Sequence, residues 1–285
     1  RYSRETLSAF DLVLDNGGQL QALEVVRRVP GKRVVCRGHW NGRLVYAKLF
    51  IGKHAAKYAA RDARGARWLA TGKIATPALL LEASVASLGC HVLLYAAVAG
   101  ENAEQVWAGL DADGRHALAL RLVEEVAKHH QAGLLQTDLY LKNFLVQGQQ
   151  IYTLDGDGIR RLRMLGRGCQ QRDNLARLLS KIDIVMAQAW LPGLLRHYTS
   201  VMEAGGEFGL GDIQRRSARY WQYDMQQYAE KVRRTCSDVV TWQDSTVYAA
   251  INRMDDSPAL RAALASPDAL FEQEGAQRLK SGNTC

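Results

Sequence analysis

Two short apolar runs, Asn143 to Val146 and Ile151 to Leu154, flank Gln147-Gly148-Gln149-Gln150 and predict a hairpin of buried strands. Upstream, from Asp111 to about Gln131, Ala119, Leu122, Val123 and Val126 recur at i, i+3, i+4 and i+7. Acids open that stretch and Gly133 closes it, so it reads as a helix delivering the chain into the hairpin. Nearer the N-terminus, Glu24 to Val29, Arg33 to His39 and Leu44 to Phe50 read as strands, with Pro30-Gly31-Lys32 and Asn41-Gly42 as turns. They predict a three-stranded antiparallel meander. His54 to Ala70 is rich in Ala and Arg, with Ala59, Ala63, Ala66 and Ala70 at helical spacing, and predicts a helix ending near Gly72. Ala78 to Ala83 and His91 to Val98 add two strands about Ser87-Leu88-Gly89, giving an α+β lobe of about five strands with one inserted helix.

Gly100-Glu101-Asn102 breaks the pattern and sets the division expected here: residues 1–99 as an N-terminal lobe and 100–285 as a C-terminal one. After the hairpin, Gly166-Arg167-Gly168 reads as a flexible basic segment. Asp173 to Ile184 then predicts a helix with Leu175, Leu178, Leu179 and Ile182 on one face. The remainder reads as helical, with amphipathic stretches Trp190 to Val201 and Gln214 to Thr235 and a polar tail, Glu272 to Cys285.

The chemistry concentrates around the hairpin. Asp138 precedes its first strand, Asn143 lies five residues later, and Asp155 and Asp157 bracket Gly156 at the end of the second. Such an edge can hold a base and a divalent cation near a phosphate. Far upstream, Lys48 sits among apolar neighbours on the third meander strand, where an ammonium is costly without anionic company. Asp62 is the sole acid of the following helix and is available to pair with it or to balance the neighbouring cations.

Composition narrows the partners. The 285 residues are 47% hydrophobic and 23% charged, ordinary for a globular chain. No apolar run approaches the roughly 18 residues that span a bilayer, and the start of the sequence carries no basic-then-apolar signal. The five cysteines lack any metal-ligand spacing, so they are expected to be reduced thiols. The net charge of +8 is uneven: residues 1–75 carry net +10 and residues 76–285 net −2. That field favours nucleotide phosphates or an acidic membrane surface. Nucleic acid is disfavoured, because the cations are not organised with aromatics or a recognition motif.

The order of these parts, a lysine strand and helix, a hinge, a helix, then Asp138, Asn143 and Asp155, resembles the protein kinase-like fold, an α+β fold of two lobes. More narrowly, TDLYLKNFL at 137–145 followed by YTLDGDGIRR at 152–161 resembles the bacterial lipopolysaccharide core kinases, which act on heptose or 3-deoxy-manno-octulosonic acid (Kdo). The resemblance spans roughly residues 25–185. It implies a cytoplasmic, ATP- and Mg2+-dependent phosphotransferase, peripheral to the inner membrane, acting on a sugar hydroxyl of the lipopolysaccharide core. It further implies Lys48 on the nucleotide phosphates, oriented by Asp62, with Gly31 at the nucleotide and Lys32 or Arg33 adding charge there. Asp138 would then be base or orienting group, and Asn143, Asp155 and secondarily Asp157 metal ligands.

Three positions depart from the protein-kinase pattern: Gln136 stands where His is usual, Asp62 where Glu is usual, and Pro30-Gly31-Lys32 in place of a glycine-rich loop. Asp is one methylene shorter than Glu, so the pair with Lys48 forms only if the helix sits closer to the strand. Two alternatives stay open: a small-molecule kinase of the same fold, and a weakly active scaffold. Arg160, Arg161, Arg163 and Arg167 favour an anionic acceptor over the cationic ones that small-molecule kinases of this fold gather acids to hold.

Overall fold

The computed structural model describes residues 9–182, 184–202, 207–236, 239–243 and 248–266. The architecture is mixed α+β, with a curled antiparallel sheet followed mainly by helices. The sheet contains β1 (Phe10–Val13), β2 (Gln19–Val29), β3 (Arg33–Trp40), β4 (Arg43–Phe50), β5 (Leu79–Val85) and β6 (Cys90–Ala96) in the order β1-β2-β3-β4-β6-β5. Helix α1 (Ala55–Thr71) lies between β4 and β5 in sequence. Two register shifts in the β2–β3 pairing add local twist to the long second strand. The strand β1 is additional to the five expected from sequence.

Period-two alternation decides what each face of the sheet does. On β4, Val45, Ala47 and Leu49 point into an apolar core with Leu20, Cys36, Val92 and Leu94. The intervening Phe50 points to the opposite face, where it packs with Leu93, Tyr95 and the buried alanines Ala55, Ala59, Ala63 and Ala66 of α1. Lys48 shares that second face, so a charged residue is delivered toward α1 by register alone.

The chain continues through β7 (Glu101–Asn102), α2 (Ala103–Gly109) and α3 (Ala112–Gln131). Asp111 caps α3 by accepting from the Gly114 backbone N–H at 2.9 Å. Gly133 takes the left-handed conformation just beyond the helix, φ +71°. Strand β8 (Leu134–Gln136) follows. The expected hairpin is β9 (Phe144–Gln147) and β10 (Gln150–Thr153), in register Gln147↔Gln150 and extended by β7. Strand β11 (Ile159–Arg161) pairs with β8.

Helix α4 (Arg167–Leu179) starts six residues earlier than Asp173, because Gly166, at φ +70°, turns the chain directly into it. The Gly166-Arg167-Gly168 stretch is therefore the start of a helix and not a loose linker. Leu175, Leu178, Leu179 and Ile182 are buried, as their spacing implied. Helices α5 (Ile184–Val201) and α6 (Leu210–Lys231) follow. The chain divides into two compact units, Arg1–Ala218 and Arg219–Cys285, a division the sequence reading did not contain. The second unit is not wholly helical as expected. It holds the hairpin of β12 (Val239–Gln243) and β13 (Tyr248–Asn252), then α7 (Pro258–Ala265). The β-branched run Val239-Val240-Thr241 favours that outcome. The polar tail Glu272 to Cys285 lies outside the described residues.

One contact fixes α1 against the loop after β10. A Cβ on Gly65 would overlap the carbonyl oxygen of Gly156, and a Cβ on Gly156 would overlap the Asp62 carbonyl. Helix propensity alone would favour Gly65→Ala by about 1 kcal/mol, but a clash with backbone cannot be relieved by rotating a side chain. We expect Gly65→Ala to be destabilising by about 1–3 kcal/mol in urea unfolding; a gain in stability would exclude this close backbone packing.

Candidate active site

The site begins with the face of β4 just described. Register places Val35 opposite Lys48 and Arg33 opposite Phe50, so Arg33 and Lys48 emerge on the same side of the sheet. Lys48 Nζ donates to Asp62 Oδ2 at 2.7 Å and to Asp155 Oδ1 at 3.2 Å. Arg33 Nη1 lies 3.4 Å from Asp155 Oδ1 and 3.7 Å from Asp62 Oδ2. The Tyr95 hydroxyl donates to Asp62 Oδ1. Two cations and two carboxylates thus meet where β3, β4, α1 and the segment after β10 converge. Asp62 is wholly buried, and the Lys48 side chain retains 15% exposure.

Burial on this scale is tolerated only when each charge is paired and hydrogen bonded. Burial alone pulls the Lys48 ammonium toward neutrality, yet the carboxylates of Asp62 and Asp155 outweigh it and leave its pKa raised. Asp155 behaves oppositely: burial opposes ionisation, but Lys48 and Arg33 hold its carboxyl well below the usual range. Asp62 is pushed up, by burial first and by the neighbouring Asp155 against the pull of Lys48. Asp155 is therefore the firmly ionised member. Its backbone adopts φ +64°, a left-handed conformation that Asp tolerates better than most residues and that concentrates at functional sites.

The second part of the site is the loop between β8 and β9. Gln136, fully buried, donates from Nε2 to the Leu154 carbonyl at 3.2 Å and accepts from the Asp138 N–H at 3.2 Å. It ties the loop to the end of β10. Asn143 Nδ2 donates to the Asp138 carbonyl at 2.9 Å, and the Asn143 carbonyl accepts from the Leu154 N–H at 2.8 Å. These bonds hold Asp138 and Asn143 in one loop, one residue of backbone away from Asp155.

The remaining predicted residues sit differently. Asp157 is gripped by Arg61 of α1 through both carboxylate oxygens, one contact at 2.6 Å, which sets it apart from the Lys48 cluster. Gly31, at φ +68°, and the exposed Lys32 form the β2–β3 turn, pinned by the Ile51 N–H donating to the Lys32 carbonyl at 2.9 Å. Lys32 makes no ion pair among the described residues; its neighbour Arg33 is the residue that enters the cluster. The turn's charge was legible in sequence, but which of the two cations faces Asp155 depended on strand register. Arg61 was also missed, one among five cations on or before the same helix.

Two buried polar networks brace the loop from behind. Asn174 donates to the Gln136 carbonyl at 2.8 Å and accepts from His130 Nε2 at 3.0 Å, while His130 Nδ1 bonds the Tyr198 hydroxyl at 2.6 Å. Burial holds His130 down to about 3, so its imidazole is neutral. The second network comprises Glu125, Thr153 and His129. His129 Nδ1 bonds the Glu125 backbone carbonyl at 2.6 Å, which makes it the protonated nitrogen and leaves Nε2 to accept from Thr153 Oγ1 at 3.2 Å. Thr153 has one proton to give, so the 3.3 Å contact with Glu125 Oε1 is satisfied when Glu125 itself donates. Burial pushes Glu125 up to about 7, which agrees with that protonated form.

The donor set suits magnesium, which takes one or two carboxylate or amide oxygens and completes its shell with water and phosphate. Asp155 and Asn143 supply that minimum. Among the described residues no group of three or more His, Cys, Asp and Glu forms an all-protein metal cage. A cavity of about 700 Å3 opens elsewhere, lined by Arg67, Glu82, Glu125, Lys128 and Tyr152 among others, and none of Lys48, Asp62, Asp138 or Asp155 lines it. The converging charges lie outside that cavity's lining. No helix among the described residues is long and apolar enough to cross a membrane. No protein-family model matches the chain, and no curated protein matches it.

The Glu125 network makes a signed prediction. A carboxyl pushed up from 4.5 to about 7 favours the folded state fully below pH 4.5, and that contribution is lost as pH rises to about 7. Gln mimics the protonated form. Glu125→Gln should therefore match wild type near pH 4 and exceed it by up to about 3 kcal/mol above pH 7. Urea unfolding at both pH values checks this; His129 and His130 are common to both proteins and cancel in the difference.

Proposed function

We propose that this chain is a phosphotransferase of the protein kinase-like fold, using ATP and Mg2+. More particularly, the motif resemblance supports a lipopolysaccharide core kinase that phosphorylates a heptose or Kdo hydroxyl at the cytoplasmic face of the inner membrane. The observation carrying the first statement is the contact of Lys48 with both Asp62 and Asp155, beside a loop holding Asp138 and Asn143. Residues 107 positions apart meet there, which supports a role in phosphate and metal binding.

The division of labour follows from the chemistry. Phosphoryl transfer needs positioning and charge neutralisation more than covalent help. Lys48, oriented by Asp62, takes the nucleotide phosphates, and Arg33 adds a second cation on the same face. Asp155 and Asn143 hold the metal, which neutralises and orients the phosphate oxygens when bound. Asp138 orients the acceptor hydroxyl and accepts its proton. Asp62 in place of Glu is compatible with activity in this reading, because the ion pair forms at 2.7 Å. The cations Arg160, Arg161 and Arg163, unpaired with carboxylates among the described residues, favour an anionic acceptor.

Transfer from labelled ATP to purified core oligosaccharide tests the assignment; normal ATP binding without transfer would sink the acceptor and leave the nucleotide site. Two substitutions separate the roles. Asp155→Ala should abolish metal-dependent nucleotide binding in a thermal-shift titration. Asp138→Ala should retain that binding and lower turnover by about 10²–10⁴-fold, the range for loss of a general base.

A further inference from the structure

From Gly158 to Arg172 the chain carries five arginines and no acid. Within it, Met164 and Leu165 are 92% and 91% exposed, two consecutive large apolar side chains at a loop tip. Their exposure is built in. The Gln170 side chain accepts from the Arg163 N–H at 3.2 Å and donates to the carbonyls of Arg163 and Leu165, both at 3.3 Å, closing the loop beneath them. Below the tip lies a cavity of about 540 Å3 lined by Arg160, Arg161, Arg163, Leu165, Thr137 and Gln170 among others, with no acidic residue in its wall. Among the described residues Arg160 bonds backbone carbonyls alone, those of Asp157 and Ile159, each at 2.7 Å. Arg161 lies over the Trp68 ring at 5.0 Å, with Arg64 of α1 over the same ring at 5.4 Å.

We propose that the 162–166 loop, with the arginines flanking it, docks the protein on an anionic bilayer, with lipid phosphates in the arginine-lined cavity and Met164 and Leu165 entering the headgroup–acyl boundary. Two exposed apolar residues alone are a weak anchor, and arginines alone are a solvated face. Together they supply the two signals that stable peripheral binding requires. Trp68, half-buried against Leu69, Ile74, Leu134 and Ile159, holds Arg161 and Arg64 over its ring beside the loop. Unlike the general positive field of residues 1–75, this is a specific element, and it stands whether or not the site transfers phosphate.

Co-sedimentation of the full chain, without nucleotide, tests it on vesicles of phosphatidylglycerol and phosphatidylcholine against vesicles of phosphatidylcholine alone. Binding to the anionic vesicles only, weakened by chloride, is expected. The Met164→Ser/Leu165→Ser and Arg161→Gln/Arg163→Gln pairs should each reduce partitioning about tenfold or more, with unchanged unfolding midpoints. Three results would overturn the proposal: no binding by wild type, undiminished binding by both variants, or displacement by inorganic phosphate beyond that by chloride at equal ionic strength. The last would mark a soluble-anion pocket. Because kinase activity is not read out, failure here leaves the phosphotransferase reading untouched, and the converse holds.

Discussion

The contact of Lys48 with Asp62 and Asp155 is the constraint on which the rest of the candidate site depends. A lysine on the inner face of a strand, 15% exposed, cannot be left alone, and neither can a carboxylate with no exposure. Each makes the other tolerable, and Arg33 and Tyr95 complete the pairing. Removing one partner from such a buried pair generally costs about 3–5 kcal/mol, most of it the penalty of the charge left behind. The cluster therefore couples three parts of the chain far apart in sequence: the sheet, α1 and the segment entered from β10.

That coupling works only at short range, and small residues provide it. An aspartate reaches one methylene less far than a glutamate, so α1 must lie close to the sheet. Its inner face is alanine at positions 55, 59, 63 and 66, and Gly65 lets its backbone meet that of Gly156 directly. The same Gly156 follows Asp155, whose left-handed backbone turns the chain at this point. The shorter acid, the alanine-lined helix and the glycine pair are one adaptation seen at three places. Together they let the short Asp62 side chain reach Lys48.

Much of this was legible in the sequence where a local rule was strong. The 3.6-residue period and the acids at its start marked α3, two apolar runs about Gly148 marked the β9–β10 hairpin, and the apolar neighbours of Lys48 in Leu44 to Phe50 marked it as out of place on its strand. What escaped was set by tertiary contact. Strands β8 and β11 have three residues each, too few for a period to show, and they exist because they pair with each other. Arg33 and Lys32 are indistinguishable as charges in a turn; strand register sends one into the cluster and leaves the other in solvent. Arg61 was one basic residue among several until its helix was laid beside Asp157.

The two halves of the site are held by different physics. The half around Lys48 is ionic, and its members respond to any competing charge that enters. The half around Asp138 is held by neutral hydrogen bonds, running from Tyr198 through His130 and Asn174 to the Gln136 carbonyl, with the Gln136 side chain joining Asp138 to Leu154. Burial keeps His130 and His129 uncharged down to about 3 and about 4. The loop carrying Asp138 therefore keeps its shape across the physiological pH range, while the ionic half can exchange its internal pairs for phosphate. In the phosphotransferase reading proposed above, that combination would keep the Asp138 loop fixed while the charges around Lys48 rearrange.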